Sequence, residues 1–155
     1  MTRVLYPGSF DPFHNGHLEI VEVGASLFDE VVVAIVGNPQ KASALFDFES
    51  REAMIAESVE HLGNVSVISS AGLVVDLARA SHVDFVLKGL RGSGDLDAEM
   101  QMALMNKAVS GVETLFLPAG AQYSFVASKY IRDITRLGGD ATHLVPDPVA
   151  QRLRK

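Results

Sequence analysis

The chain has no cysteine among its 155 residues, so disulfides, thiolate metal sites and cysteine nucleophiles are excluded. It also has no apolar run near the ~20 residues that cross a bilayer. The basic segment, apolar stretch and small-residue cleavage site of a secretory signal are missing from its start. We therefore expect a reducing compartment, a cytoplasmic location and no membrane partner.

Positive charge is scarce, because the 13 Lys and Arg residues are outnumbered by 19 Asp and Glu residues, which gives a formal net charge of −6. A general nucleic-acid binder needs clustered cations that release counterions, so we expect no nucleic-acid partner. Two common phosphate motifs are missing as well: Gly92-Ser93-Gly94 lacks the third glycine of a dinucleotide fingerprint, and no Walker A sequence occurs.

Short β-branched runs alternate with helical patterns along the chain. Strands are predicted at Val4–Tyr6, Glu30–Val36, Val65–Ser69, Phe85–Lys88 and Thr114–Leu117. Helices are predicted at Leu18–Leu27, Glu49–His61, Leu73–Ser81, Asp95–Val109, Ser128–Leu137 and from Pro148 to the end. This order predicts one α/β domain over residues 1–155, with a single doubly wound, five-stranded parallel sheet and helices on both faces.

The junction between the first strand and the first helix predicts a phosphate site. Pro7 to His17 contains Gly8, two prolines and the tetrad His14-Asn15-Gly16-His17. Unpaired N–H groups and the helix dipole at such an N-terminus favour an anion, with Asn15 available as a cap. The histidines have three interpretations: phosphate donors, core residues or metal ligands. Metal is the weakest, because the other histidines have no ligand-like spacing to this pair.

Ligands of doubly wound sheets bind at the carboxyl ends of the strands. Chemically useful side chains follow several predicted strands, so we expect them at one rim. They are His14 and His17, Lys41, Val74, Lys88 and Arg91, and the segment Tyr123–Lys129. Lys41 is also open to a second interpretation, as a solvated surface lysine.

Several motifs now carry a family resemblance. Pro7-Gly8-Ser9-Phe10-Asp11-Pro12 with the His14–His17 tetrad resembles the nucleotidyltransferase superfamily, whose (H/T)xGH motif binds a nucleotide triphosphate. Lys41, Lys88-Gly89-Leu90-Arg91 and the segment from Glu99 to Asn106 resemble the bacterial phosphopantetheine adenylyltransferases. The likeness extends over essentially the whole chain.

The resemblance implies a reaction in which the phosphate of 4′-phosphopantetheine attacks the α-phosphorus of ATP, the penultimate step of coenzyme A synthesis. Dephospho-coenzyme A and pyrophosphate form without a covalent enzyme intermediate. His17 is the implied transition-state stabiliser, with Lys41 and Arg91 as further catalytic residues. Such in-line transfer depends on positioning and electrostatics more than on a protein nucleophile.

The same resemblance distributes the binding residues over two substrates. The phosphopantetheine side has Ser9, Lys41, Val74, Lys88 and Asn106. The ATP side has Ser9, Phe10, His14, His17, Gly89, Leu90, Arg91, Glu99, Tyr123, Ser124, Phe125, Val126, Ala127, Ser128 and Lys129.

The chain departs from the family pattern at three positions. Lys88 replaces an arginine that is common in the family, and its ammonium group cannot make the two parallel hydrogen bonds of a guanidinium to phosphate. Ala127 and Lys129 interrupt a serine-rich motif at a helix N-terminus, where Ser128 remains as an N-cap or a phosphate donor. Asp97 is in the first turn of its predicted helix, where a carboxylate interacts favourably with the helix dipole, and it needs no functional role.

The cofactor is expected because a bound triphosphate usually carries it, and the assembly is expected from the resemblance alone. Mg²⁺ is expected with ATP, held mainly by phosphate oxygens and water, and no protein side chain is predicted as its ligand. A homohexamer and feedback inhibition by coenzyme A are also implied by resemblance.

Two rival functions stay open. One keeps the chemistry but changes the acceptor to nicotinate or nicotinamide mononucleotide, or is cytidylyl transfer to a small phosphorylated alcohol. The other is a non-catalytic nucleotide-binding module, in which the altered loop at Ala127–Lys129 holds ATP without aligning it for attack.

Overall fold

The computed structural model describes all residues from Met1 to Lys155. A five-stranded sheet with the order β3-β2-β1-β4-β5 forms its centre, and every adjacent pair of strands is parallel. The strands are β1 (Arg3–Gly8), β2 (Glu30–Val36), β3 (Val65–Ser70), β4 (Phe85–Leu90) and β5 (Glu113–Pro118). The predicted fold class, a doubly wound parallel α/β sheet, is confirmed.

Six α-helices and one 3₁₀ turn at Thr142–Leu144 connect and follow the strands. The helices are α1 (Asn15–Leu27), α2 (Phe48–Ser58), α3 (Val74–Ala80), α4 (Ser93–Ser110), α5 (Ser128–Arg136) and α6 (Asp147–Leu153). Two predicted boundaries were wrong by a turn. α1 begins three residues before Leu18, and α2 ends three residues before His61.

The sheet buries both of its faces because its central strands are apolar without interruption. Val4 and Tyr6 of β1 point into the larger core cluster, which receives side chains from α1, α2, α5 and α6. Leu5 points the other way, into a smaller cluster closed by Ala78 of α3. This alternation follows from the two-residue period of a strand, and it accounts for helices on both faces.

The winding of the chain positions the site. The strand order runs outward from β1 through β2 to β3, then crosses back to β4 and β5 on the other side of β1. The loops after β1 and β4 therefore diverge at the carboxyl edge of the sheet and leave a crevice between them. No helix combines the length and the apolar character that a membrane crossing requires.

Candidate active site

Two imidazoles cap the N-terminus of α1. His14 is the N-cap, and its Nδ1 accepts hydrogen bonds from the backbone N–H groups of Gly16 at 3.1 Å and His17 at 3.4 Å. His17 Nδ1 in turn accepts from the His14 backbone N–H at 3.1 Å. The predicted cap, Asn15, was wrong, because Asn15 is the first helical residue. The prediction of unpaired amides here was wrong for two of them, since His14 accepts from the N–H groups of Gly16 and His17.

This capping sets the protonation of both rings. An Nδ1 that accepts a hydrogen bond carries no proton, so the neutral ring bears its proton on Nε2. Burial, with the nearby Arg91 charge, lowers the pKa of His14 to about 4. Burial and the His14, Arg91 and Lys88 charges hold the pKa of His17 well below its usual value. Both rings are therefore neutral Nε2–H donors at pH 7.

The histidine pair is held rigidly by close packing. The two rings stack with centroids 3.6 Å apart, and Phe13 stacks against His17 at 5.5 Å. Gly16 permits this arrangement, because a Cβ there would lie 2.9 Å from His14 Cε1. His17 can thus present its Nε2–H in one orientation to a bound group.

A polar cavity of about 350 Å³ opens in front of these rings. Its charged side chains come from three elements: Lys88 on β4, Arg91, Asp95 and Glu99 at and after the end of β4, and Lys129 and Arg132 on α5. Lys88 Nζ lies 3.4 Å from Glu99 Oε2. The cavity therefore combines neutral donors with several cations, as an anionic ligand requires.

Arg91 is held on both sides. Asp95 accepts from its backbone N–H and from Nε, both at 3.1 Å, and the Val126 carbonyl accepts from Nη1 at 3.1 Å. Burial opposes ionisation of Asp95, but the Arg91 hydrogen bonds prevail and lower its pKa. Asp95 was not among the predicted site residues, although its spacing of four residues from Arg91 is typical of an ion pair.

The free helix N-terminus lies at α5 rather than at α1. Its N-cap, Ala127, offers no side-chain hydrogen bond, so the first-turn N–H groups of Ser128 and Lys129 lack partners in the chain. Ala127, Ser128 and Lys129 line the polar cavity. Ser128 is not the N-cap that the sequence suggested; its hydroxyl donates to the Pro12 carbonyl at 2.8 Å.

A second, mostly apolar cavity of about 650 Å³ adjoins the first. Pro7, Gly8, Lys88 and Glu99 line both. Its other walls come largely from α3 and α4 and include Val74, Met102, Met105 and Asn106. Thr114, also in this wall, has a buried hydroxyl with no hydrogen-bond partner.

Lys41 lies outside both of these cavities. It lines a smaller cleft of about 160 Å³, together with Ser9, Asp11, Asn38 and Arg132. Ser9 and Arg132 also line the polar cavity, so the cleft and the polar cavity share a wall. Lys41 is exposed at this position.

The predicted residues thus divide among the cavities. Those that line the polar cavity are Ser9, Phe10, His14, His17, Lys88, Gly89, Arg91, Glu99, Tyr123, Ala127, Ser128 and Lys129. Val74, Lys88 and Asn106 line the apolar cavity. Leu90, Ser124, Phe125 and Val126 line neither; Phe125 is 66% exposed and Val126 is buried.

Three further residues of this region were not among the predicted site residues. Glu19 on α1 accepts from the Gly120 backbone N–H at 2.6 Å and so ties α1 to the loop after β5. Arg51 lies 3.6 Å from Asp11, with both side chains buried, and Arg132 donates to the Asp11 carbonyl at 2.7 Å. Arg51 and Arg132 are distant from the motif in sequence, and Glu19, which follows His17 by two residues, bonds to a residue 101 positions away. No local pattern therefore indicated these contacts.

Comparison with known proteins identifies the family of the chain. The model of the cytidylyltransferase-like family matches residues 5–134, so fold and site define a nucleotidyltransferase enzyme of that class. The chain is 48% identical to a phosphopantetheine adenylyltransferase from Frankia alni, over 100% of this chain and 98% of the relative. The chain belongs to the phosphopantetheine adenylyltransferase family.

Solved structures support the fold alone. A bifunctional NMN adenylyltransferase/ADP ribose pyrophosphatase from Francisella tularensis, complexed with AMP and a manganese ion, superposes with a TM-score of 0.74 at 15% identity. The match covers 99% of this chain but only 48% of that protein. A lipopolysaccharide core biosynthesis protein from Thermoplasma volcanium gives a TM-score of 0.57 at 24% identity, over 77% of this chain and 97% of that one.

Proposed function

We propose that the chain transfers the adenylyl group of ATP to 4′-phosphopantetheine, forming dephospho-coenzyme A and pyrophosphate. The observation that carries the proposal is the pair of adjoining cavities, one cationic and one apolar, which share Lys88 and Glu99 in their common wall. A nucleotide triphosphate suits the first, and a long, mostly uncharged arm ending in a phosphate suits the second. Family membership supports the same pairing of substrates.

The acceptor is assigned to the apolar cavity. Its arm would run along Val74, Met102 and Asn106, where thioether and aliphatic groups can bury methylene carbons and the amide can bond a polar group. Its phosphate would reach the junction at Lys88. Ser9 and Lys41, in the neighbouring cleft, would hold the same phosphate from the other side.

The nucleotide is assigned to the polar cavity, where no protein nucleophile is needed. A phosphate monoester dianion is already nucleophilic, so the task of the protein is to align it and to spread the charge of the transition state. His17 Nε2–H and the Arg91 guanidinium would donate to the α-phosphate as attack proceeds. A neutral His17 can donate without giving up its proton, so it acts as a fixed dipole rather than as a general acid.

Magnesium would enter with the nucleotide. Within the chain no group of three or more His, Asp or Glu side chains could hold a metal, and the two carboxylates of the polar cavity are already paired with cations. Phosphate oxygens and water are therefore its proposed ligands, and the ion would supply charge neutralisation of the triphosphate.

We also propose inhibition by coenzyme A, assembly as a homohexamer and a cytoplasmic location. Coenzyme A shares the pantetheine arm, so the apolar cavity could receive it as a feedback inhibitor. A homohexamer is proposed from the family resemblance, and α4 supports self-association because none of its 18 residues is buried and Leu104 is 60% exposed. The reaction is proposed to occur in the cytoplasm.

Pyrophosphate release from ATP and Mg²⁺ tests the function directly. We would offer 4′-phosphopantetheine, nicotinamide mononucleotide and glycerol-3-phosphate as separate acceptors, and identify the product by mass. Release with phosphopantetheine alone, together with dephospho-coenzyme A, is the expected result. Release with another acceptor would keep the class but change the substrate, and ATP binding without release would favour a non-catalytic module.

A further inference from the structure

Glu19 is a half-buried carboxylate on α1 whose only partner is a distant backbone amide. No cation lies within ion-pair distance of it. It lies beyond the first turn of α1, where the helix dipole would favour a negative charge. Its Oε1 accepts a hydrogen bond from the Gly120 backbone N–H at 2.6 Å, across 101 positions of sequence. The carboxylate therefore serves the loop after β5 rather than its own helix.

Gly120 permits the close approach that this contact requires. A Cβ on Gly120 would lie 2.8 Å from Glu19 Oε2 and 2.9 Å from Glu19 Cδ, which is too close for any side-chain atom. A larger residue at position 120 would therefore displace the carboxylate. The contact depends on both residues, a carboxylate on α1 and a glycine in the loop.

The contact fixes the turn that ends at Tyr123. The Gly120 carbonyl accepts from the Tyr123 backbone N–H at 3.1 Å. Tyr123 also packs on the first turn of α1, because a Cβ on Gly16 would lie 3.6 Å from Tyr123 Cβ. Gly16 and Glu19 are three residues apart and so lie on one face of α1. That face holds the loop at two points.

Tyr123 is the aromatic residue of the polar cavity that has surface to offer a ligand. Tyr6, Phe10 and Tyr123 all line this cavity. Tyr6 is 5% exposed and Phe10 is 2% exposed, and both belong to the core, whereas Tyr123 is half-buried. A partly exposed ring suits the flat base of a nucleotide, since bases stack on aromatic side chains.

We propose that Glu19 is a positioning residue of the nucleotide site, which ties the loop after β5 to α1 and so holds the Tyr123 ring in place for the base. The inference rests on the proposed function, in which Tyr123 belongs to the nucleotide side. Glu19 lines none of the described cavities, so it acts through the loop. Without its hydrogen bond, the loop would become ordered only as the nucleotide binds, and that ordering lowers affinity.

Binding of ATP and of inorganic tripolyphosphate, each measured by calorimetry in Mg²⁺, tests the role, because tripolyphosphate lacks the base. Glu19→Ala should weaken ATP binding by about five- to a hundredfold, the range for one stacked base, and leave tripolyphosphate binding unchanged. Glu19→Gln keeps an acceptor oxygen and should retain most of the affinity for ATP. Glu22→Ala is the matched control, since Glu22 is three residues further along α1 and pairs with His61 instead of the loop.

Gly120→Ala tests the same contact from the side of the loop. The new methyl group would displace the Glu19 carboxylate, so this variant should weaken ATP binding as Glu19→Ala does. The double variant should lose no more affinity than either single variant, because both changes break one interaction. Losses that add would show that the two residues act independently, which contradicts the proposed role.

The two ligands separate positioning of the base from general damage to the fold. Equal weakening of ATP and tripolyphosphate binding by Glu19→Ala, or no weakening of either, would overturn the inference. If Glu19→Ala does not fold, Gly120→Ala provides the same comparison of the two ligands. If the wild-type chain releases no pyrophosphate with phosphopantetheine but Glu19→Ala still weakens ATP binding alone, Glu19 keeps its role and the proposed function is rejected.

Discussion

The His17 ring makes a structural hydrogen bond through Nδ1 and is proposed to make a catalytic hydrogen bond through Nε2–H. Its Nδ1 accepts from the His14 backbone N–H, which leaves Nε2–H for the nucleotide. His17→Ala should lower the turnover number by about 10²–10³-fold, as for the loss of one preorganised donor to a transition state. Turnover measured by pyrophosphate release, with circular dichroism as the check on folding, tests this. Near-normal turnover in a folded variant would remove His17 from the mechanism.

His14 makes the stability of the protein depend on pH. Its pKa is about 4 in the folded chain against 6.5 for an unperturbed histidine, so the unfolded state takes up its proton first as the pH falls. Stability contributed by the neutral ring is complete above pH 6.5 and is lost between 6.5 and 4. The loss amounts to roughly 3 kcal/mol, at 1.36 kcal/mol for each pKa unit.

A non-titrating cap isolates this effect. His14→Asn retains an acceptor that suits an N-cap but cannot take up a proton in this range. The free energy of unfolding, from urea titrations at several pH values, should fall less steeply between pH 6.5 and 4 in the variant than in the wild-type chain. Identical slopes would show that His14 is not the group responsible.

At the scale of the helix, α5 is stabilised less than it could be. Ala127 has an extended backbone with φ of −140° and ψ of 138°, suited to an N-cap, but its methyl group accepts no hydrogen bond. Ala127→Asp should stabilise the fold by about 1 kcal/mol. It should also raise the KM for ATP, since the new carboxylate would pair with the free first-turn amides and place a negative charge in the cavity to which the nucleotide is assigned.

A neutral cap is the control for charge. Ala127→Asn should raise the melting temperature to a similar degree, while the KM for ATP rises less than with Asp. Thermal melts and steady-state kinetics on both variants measure the two effects together. A stabilised Ala127→Asp variant with an unchanged KM would show that the first turn of α5 does not bind the nucleotide.

The elements were predictable from the sequence, whereas the capping of two helix N-termini was not. All five predicted strands agree with the structure to within two residues at each end, because β-branched runs give a strong local signal. The cap of α1 was missed because an imidazole is not among the usual N-cap residues. The uncapped start of α5 was missed for the opposite reason, since Ser128 suggested a cap that its bond to Pro12 rules out.

For the whole molecule, the alternation of elements predicted a parallel sheet but not its strand order, which depends on contacts between distant segments. The motifs likewise predicted most of the polar cavity. They did not predict that Lys41 would lie in a separate cleft, or that Asp11, Arg51 and Arg132 would meet. Such contacts depend on tertiary packing, and no periodic pattern in the sequence indicates them.

Arg51 connects the parts of the molecule that converge on the site. It is 4% exposed and donates to the carbonyls of Phe46 at 2.8 Å and Ser9 at 3.0 Å. The Asp11 carboxylate beside it accepts from the backbone N–H groups of Leu45 and Phe46, both at 2.8 Å. The loop after β1 and the loop before α2 are thus joined through one buried ion pair.

Removing the cation should destabilise the whole fold, because it leaves the Asp11 charge buried without its partner. Arg51→Met should cost about 3–5 kcal/mol of unfolding free energy. Arg152→Met, which breaks a more exposed pair with Glu57 at 2.9 Å, should cost under about 1 kcal/mol. Urea unfolding compares the two variants. If Arg51→Met costs no more than Arg152→Met, the buried pair is not what holds these loops together, and packing of the surrounding apolar side chains must do so.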